Sequence, residues 1–484
     1  MKHINNVQNI LLITAFPTYG AGSGVAVTTL ADSYKKNGKK VSIITANNKT
    51  NFEKLPGVNY CLVPFTSEEE NPEKIEGQCN FNYLMFTTHT ESTTNFWNAT
   101  LEQIMQYENA FRKKISNEIK RFKPDIIHAQ HNWISSSIST DYNIPVIVTI
   151  HGTDLMGYEK SKEELTKLYK ELTLIKDEKK KQKIIDEIKK YNFYIESANK
   201  SARNSKKIIV ISRAQKEKFE HLFPFAKNKI ELVENGYNPE NFYVKENIDK
   251  KEVLKKLISN NYEKKEINID YDFFVLFVGK FADFKGIDIL LDASKKYEDY
   301  IYAQGKKVLT IIVGSGSLEQ QLKKQASDLN LINTHFVGKK GIQEICDLQN
   351  LADVSVVPSR NEPFGLVVLE GLACGHPVIG TNSGGIPDIL NILQQNTNDI
   401  SNTDCTNKLF HVTPLGILIP MNNSTALSQS ICQIFDKTIA FDNTFIADYV
   451  QKNYSQENIT QRILNIFEST IQKNNDTFDD KEIY

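Results

Sequence analysis

Pro358-Ser359-Arg360-Asn361-Glu362-Pro363-Phe364-Gly365-Leu366-Val367-Val368-Leu369-Glu370 and the residues on to Pro377 decide how this chain is read. The apolar run Val354 to Val357 just before them predicts a buried strand. Pro363 and Gly365 mark a loop, and the helical apolar pattern that follows is stopped by Gly375 and Pro377. Glu362 stands before that helix and Glu370 stands inside it. A strand feeding a helix N-terminus gathers unpaired N–H groups and about half a positive charge, which suits an anion. Carboxylates beside an anion site need something neutral to read. Sugar hydroxyls qualify, because an ionised carboxylate only accepts hydrogen bonds and a hydroxyl donates them.

Strand–loop–helix units recur on both sides of this stretch. Ile10–Thr14 leads into Gly20-Ala21-Gly22-Ser23-Gly24 and then a helix, with a second strand at Val41–Thr45. The glycine loop invites a dinucleotide reading. However, Val25 stands where the third glycine of G-x-G-x-x-G belongs, and the second strand ends at Asn47-Asn48 without an acid for a ribose. Pro145–Ile150 ends in His151-Gly152-Thr153-Asp154, so His151 lies at the carboxyl end of a strand, where parallel sheets bind ligands. Lys207–Ile211 closes in Ser212-Arg213, which are candidates for acceptor or phosphate contact. In the second half, Phe273–Val278 runs into Gly279-Lys280 and Lys285-Gly286, Val308–Val313 into Gly314, and Thr334–Val337 into Gly338.

A chain of 484 residues is too long for one core, so two α/β domains with doubly wound parallel sheets are expected. The expected division is an N-terminal domain, 1–245, with a helical insertion at about 157–195, and a donor domain, 246–450. A helix at 451–472 is expected to pack back on the first domain, followed by a disordered tail, 473–484. The segment 65–98 reads as irregular surface or an acceptor-facing insertion. The insertion is rich in lysine and glutamate, which predicts a solvated face and a possible membrane-surface or protein contact. A net charge of −1 argues against nucleic acid as a partner. Six scattered cysteines without a Cys-x-x-Cys pair predict a reducing, cytoplasmic setting and no zinc cluster. Ile10 to Phe16 is too short to span a bilayer and has no small-residue cleavage site after it.

Taken together, these motifs resemble the retaining glycosyltransferases that include glycogen synthases, sucrose-phosphate synthases and bacterial mannosyl- and glucosyltransferases. The most specific element is Glu362-x7-Glu370. Supporting it are Gly279 with Lys285-Gly286, Val313-Gly314-Ser315-Gly316, Phe336-Val337-Gly338, Ala352-Asp353-Val354, Glu234-Asn235-Gly236-Tyr237 and the early glycine loop. The resemblance implies a GT-B fold, two Rossmann-like domains facing each other across a cleft. It implies transfer of a hexosyl unit from a nucleotide-diphosphate sugar to a hydroxyl acceptor, with UDP-sugars ahead of GDP-mannose. The acceptor class stays open among saccharide, lipid-linked, small-molecule and protein hydroxyls.

The same resemblance assigns roles. Lys285 meets the diphosphate, and Lys280 stands where the family usually has arginine, offering a point charge instead of a fork. Glu362 holds hydroxyls of the donor sugar and Glu370 those of the ribose. The amides of Phe364, Gly365, Leu366 and Val367 meet sugar and phosphate oxygens. Gly279, Gly314 and Gly338 belong to the donor site, as do Gly22 and Ser23. His151 matches a histidine that lies against the donor sugar and phosphate. The family often has His-x-His near position 128, whereas this chain has His128-Ala129-Gln130-His131. No cofactor or metal is expected, and lysines take the metal's place in stabilising the departing diphosphate. Asp270-Tyr271-Asp272 precedes a strand and reads as its start, not as a metal motif. The competing readings are a catalytically silent sugar-binding or scaffold subunit and a sugar-nucleotide epimerase of the same fold.

Overall fold

The structure is a computed structural model that describes residues 7–18, 22–47, 52–65, 79–86, 92, 94–259, 270–391 and 409–479. The chain divides into two compact units, one of residues 1–234 with 459–484 and one of residues 235–458. The first division thus falls ahead of the expected 245/246, and the chain rejoins unit 1 at Ile459, later than 451.

Unit 1 is built on seven parallel strands: β1 (Asn9–Thr14), β2 (Lys40–Asn47), β3 (Asn59–Pro64), β4 (Ile126–Gln130), β5 (Val146–Ile150), β6 (Lys207–Val210) and β7 (Ile230–Leu232). Their order is β3-β2-β1-β4-β5-β6-β7, so the chain reverses its direction of winding between β1 and β4. Helices α1 (Gly22–Lys36), α2 (Leu101–Phe122), α3 (Ile134–Ser139), α4 (Thr153–Leu174), α5 (Glu178–Asn204) and α6 (Arg213–Leu222) make the connections. The strands are buried on both faces, which is why they read as unbroken apolar runs. In β1, Leu11 and Ile13 join one core cluster, and Ile10 and Leu12 join the cluster on the other face.

Unit 2 repeats the plan with α7 (Lys250–Ser259), β8 (Phe273–Val278), α8 (Ile287–Ala303), β9 (Val308–Val313), α9 (Glu319–Asp328), β10 (Thr334–Gly338), α10 (Ile342–Leu351), β11 (Val354–Val357), α11 (Leu366–Ala373), β12 (Val378–Thr381) and α12 (Ile386–Leu390). It ends with β13 (His411–Thr413), β14 (Gly416–Ile419), α13 (Ser424–Phe435) and α14 (Asn443–Tyr454). The sheet order is β10-β9-β8-β11-β12-β14-β13, with only β13 antiparallel, and the winding reverses between β8 and β11. The last helix, α15 (Gln456–Asp479), lays Ile459, Ile463, Leu464 and Phe467 against Ile10, Leu12 and Tyr34 of unit 1. It runs past Lys473, where the sequence predicts irregular chain.

One expected surface segment belongs to the core of unit 1, and the expected helical insertion turns its inner face to that core. Of 65–98, the described residues include Phe81, Tyr83, Leu84, Met85, Phe86 and Phe96, all buried. They are irregular in backbone, but the Phe86 and Phe96 rings meet Trp133, at 5.1 Å between centroids for Phe86, and Phe96 also meets Tyr194. The polar residues around 66–78 lie outside the described residues. The lysine-rich insertion is the α4–α5 hairpin, and Tyr158, Ser161, Leu165, Ile184, Ile188, Tyr191 and Tyr194 are buried along it. Lys190 is buried as well, donating to the carbonyls of Trp97 and Ala99 at 3.1 and 3.0 Å. The solvated face sits at the far end, where Leu174 is 80% exposed beside a run of lysines.

Candidate functional site

Open parallel sheets bind ligands beyond the carboxyl ends of their strands, at the point where the winding reverses. In unit 2 that point lies between β8 and β11, and the loops leaving these two strands are seamed together. Gly286 has φ +66°, and a Cβ there would lie 2.0 Å from the Pro358 carbonyl oxygen, so only glycine permits this approach. Arg360 closes the seam. Its guanidinium donates to both carboxylate oxygens of Asp288, at 3.0 and 2.5 Å, and to the Asp283 carbonyl at 2.5 Å. Its backbone N–H donates to the Phe284 carbonyl at 2.8 Å.

The seam brings one lysine and two glutamates together. Lys285 Nζ donates to Glu362 Oε2 at 2.5 Å, and Ser359 Oγ donates to the same oxygen at 3.3 Å. The Lys285 and Glu362 side chains are 18% and 10% exposed, so the pair lies at the rim, partly shielded from water. The Glu362 backbone is pinned too, its carbonyl accepting from the Gly385 N–H at 2.9 Å. Burial pushes the Glu370 carboxyl up to about 7, with Lys285 pulling it the other way. The Glu370 carboxyl has no hydrogen-bond partner among the described residues.

The start of α11 is shaped for an oxygen-rich ligand. Gly365 caps it at φ +106°, and Val368 donates back to the Gly365 carbonyl at 2.9 Å. The amides of Leu366 and Val367 are therefore among those that a helix start leaves without an intrahelical partner. Phe364, just before the helix, is buried. Three glycines terminate neighbouring strands. Gly279 donates to the Val313 carbonyl at 3.0 Å, and Gly314 donates to the Gly338 carbonyl at 2.9 Å. A Cβ at Gly314 would lie 1.8 Å from the Gly279 oxygen. Lys280 follows this edge and is exposed. Asp270 and Asp272 lie at the opposite, amino end of β8, held by Lys307 and Lys306 at 3.0 Å each.

In unit 1, His151 follows β5, and Gly152, at φ +90°, turns the chain into α4. The His151 ring meets Gln130 Oε1 at 2.8 Å through Nε2 and stacks on His131, with ring centroids 4.6 Å apart. Burial lowers its pKa to about 3; His131 adds to this and Asp154 opposes it. The ring is neutral at physiological pH. Gly22 and Ser23 open α1. The Ser212 hydroxyl is taken up by capping α6, where it accepts from the Gln215 N–H at 3.3 Å.

Residues 20–241 match the family model described as Glycosyltransferase Family 4, and residues 258–397 match Glycosyl transferases group 1. Together the two models cover most of the chain, and its fold is the GT-B fold. An uncharacterized glycosyltransferase of Methanocaldococcus jannaschii is 27% identical over 270 residues, 55% of this chain and 58% of that relative. The chain thus spans less than two thirds of that relative's length. Among solved structures, the sucrose-phosphate synthase of Thermosynechococcus elongatus superposes with a TM-score of 0.63 at 18% identity, covering 96% of this chain and all of that one. Anabaena HepE in complex with UDP-glucose gives 0.58 at 16% identity, covering 95% and 99%. At these identities the likeness is one of fold.

In unit 2 the structure gathers Lys285, Glu362 and Glu370 into one cluster and Gly279, Gly314 and Gly338 along one strand edge. His151, Gly22 and Ser23 belong to unit 1. Sequence reasoning missed Arg360 and Gln130. Arg360 sits inside the quoted motif, but its partners Asp283 and Asp288 are more than seventy positions away. Gln130 stands two residues after His128, where the family often has a second histidine, and that departure was the available signal.

Proposed function

We propose that the chain is a retaining hexosyltransferase that moves a sugar from a nucleotide-diphosphate donor to a hydroxyl acceptor. The observation that carries this reading is the cluster of Lys285 with Glu362 and Glu370 at the winding reversal of unit 2. Lys285 supplies positive charge to the departing diphosphate, and Lys280, exposed just after β8, adds a second cation. The amides at the start of α11 extend the same field. Glu362 accepts from hydroxyls of the donor sugar, and Glu370 accepts from the ribose diol. Gly279, Gly314 and Gly338 keep the strand ends free of side chains, so that the nucleotide lies against backbone. In unit 1, His151 contacts the sugar, while Gly22 and Ser23 approach the sugar or diphosphate.

The bond between the anomeric carbon and the diphosphate oxygen breaks, and the acceptor oxygen bonds to that carbon on the same face. The acceptor proton passes to the departing phosphate oxygen. No step is assigned to a metal or a cofactor. UDP-sugars rank first among donors; HepE, a neighbour in fold, is described with UDP-glucose. The lysine-rich end of the α4–α5 hairpin, with Leu174 exposed, is suited to rest on an anionic membrane surface near a lipid-linked acceptor.

Incubation with a panel of UDP- and GDP-sugars, with and without hydroxyl acceptors, tests the reading through nucleotide release and product mass. Background release for every donor, together with unchanged nucleotide binding in Glu362→Ala, points instead to a silent subunit. An epimerised sugar without an acceptor product points to the epimerase. An inverted anomeric centre by NMR refutes retention.

A further inference from the structure

Behind His151 lies a chain of buried hydrogen bonds with no role in the scheme above. His128 and Gln130 alternate with Ala129 on β4, so they face the same side of the sheet, and both are fully buried. The Tyr34 hydroxyl, from α1, meets His128 Nδ1 at 3.0 Å, and Thr149 Oγ1, from β5, meets His128 Nε2 at 2.7 Å. The Gln130 amide nitrogen is 3.3 Å from His128 Nε2, and its amide oxygen is 2.8 Å from His151 Nε2. Gln130 therefore spans two histidines with one amide, and the direction of that amide sets the tautomer of each. An amide oxygen only accepts, so Nε2 of His151 carries the proton. An amide N–H only donates, so Nε2 of His128 carries the lone pair.

A neutral imidazole has one proton. With it placed on Nε2, the Nδ1 of His151 presents a lone pair, and Nδ1 has no hydrogen-bond partner among the described residues. The ring plane is fixed as well. His131 stacks on it at an interplanar angle of 39° and is held at φ +72°, in a region that residues other than glycine rarely enter. Phe16 packs edge-on against the His131 ring, with centroids 4.8 Å apart. The acidic group nearby is Asp154, whose carboxyl accepts from the Asn132 N–H at 2.8 Å and whose pKa burial pushes up.

We propose that Gln130 is a positioning residue that holds His151 in its Nε2-protonated tautomer, so that Nδ1 accepts a hydrogen bond from a sugar hydroxyl. A lone pair aimed at the ligand repels a phosphate oxygen and welcomes an O–H donor. The contact thereby discriminates between the two classes of oxygen on a sugar nucleotide. This inference rests on the hexosyltransferase reading.

The test is NMR of the intact chain with 15N-labelled histidine, the His151 signals being identified by their loss in His151→Gln. The expected wild-type result is a neutral ring protonated at Nε2. Gln130→Met removes the acceptor, and a mixture of tautomers is expected. Its kcat should fall by about 100-fold, the order found for misplaced reactive groups, with the donor KM moving less than about twofold. Gln130→Glu supplies a second route should Gln130→Met fail to fold. Its carboxylate favours the doubly protonated ring, which removes the lone pair and lowers kcat similarly. A wild-type ring protonated at Nδ1, or a Gln130→Met enzyme with unchanged kcat, overturns the proposal. If the wild type transfers no sugar from any donor, the transferase reading fails with it, while the tautomer measurement still decides whether Gln130 sets the ring.

Discussion

Replacing Lys285 with alanine separates two effects that the structure superimposes. The first is on the leaving group. One cation about 4 Å from a phosphate at an effective dielectric of 20 contributes roughly 4 kcal/mol. Glu362, 2.5 Å from the same ammonium, offsets part of that charge, so the net loss belongs in the range of about 2–4 kcal/mol. That corresponds to a rate reduction of roughly 30-fold to 1,000-fold. The second effect is on the folded state. Without Lys285, the Glu362 carboxylate keeps, among the described residues, only the long bond from Ser359, and the Glu370 carboxyl loses the charge that pulls its pKa down. Breaking a fully buried ion pair costs about 3–5 kcal/mol, and this pair sits at a rim, so about 1–3 kcal/mol is expected. Nucleotide release at saturating donor measures the first effect and thermal unfolding measures the second. The double variant Lys285→Ala/Glu362→Gln removes the unpaired charge; it should recover most of the melting temperature and none of the rate. If Lys285→Ala retains the full rate, the diphosphate role is wrong. If the double variant recovers the rate, Lys285 serves only to neutralise Glu362.

Glu370 sets a pH dependence. Its folded pKa of about 7 lies above the unfolded carboxylate value of about 4.3, so its contribution to stability is full below about pH 4.3 and is lost as pH rises through 7. Nucleotide affinity should run the opposite way, weakening below pH 7 as the carboxyl takes a proton and stops accepting from the ribose; calorimetric titration should find this dependence flattened in Glu370→Gln. Arg360→Ala should lower the melting temperature and slow transfer, although the proposal places no substrate on Arg360. Its hydrogen bonds to Asp288 and Asp283 are charge-assisted, at about 1.5–3 kcal/mol each before compensation. Arg360→Lys should not rescue it, because an ammonium cannot span the Asp288 carboxylate. Phe467→Ala should destabilise unit 1 by about 3–5 kcal/mol, since its ring is buried against Tyr34 and His128; denaturant unfolding measures this.

Local chemistry explains what was legible in advance. The strands are buried on both faces, so Ile10–Thr14, Phe273–Val278 and Val308–Val313 announce themselves as apolar runs, and glycines at their ends announce turns. Short-range pattern carries no information about who meets whom. The Phe81–Phe86 segment looked like surface because its neighbours are polar, yet its aromatic density was the better guide. Rings of that size are rarely left in water when a core has room for them. For α4 and α5 a helical insertion with one solvated face was legible, from leucines and isoleucines at helical spacing among the charges. Lysines line the outer face of the hairpin, while tyrosines and isoleucines at helical spacing hold its inner face in the core. The antiparallel edge strand β13 has only three residues, too few for a pattern to show.

The motif residues Glu362 and Glu370 were legible as a pair, but their environment was not, and the environment separates their roles. Glu362 is ion-paired, hydrogen-bonded and pinned through its backbone to Gly385. Glu370, inside α11, has a carboxyl with no hydrogen-bond partner among the described residues and feels Lys285 through charge alone. A carboxylate already engaged is a positioned acceptor, ready for a hydroxyl at its remaining lone pairs. A carboxylate that burial holds near its midpoint gains most from a ligand that brings two donors at once. A ribose diol does so, and the gain comes from relieving a desolvated charge as well as from the bonds themselves. On this argument Glu370→Ala should weaken nucleotide binding more than Glu362→Ala, while Glu362→Ala should slow transfer more than it weakens binding. The reverse order in the two measurements would exchange the proposed tasks of the two glutamates.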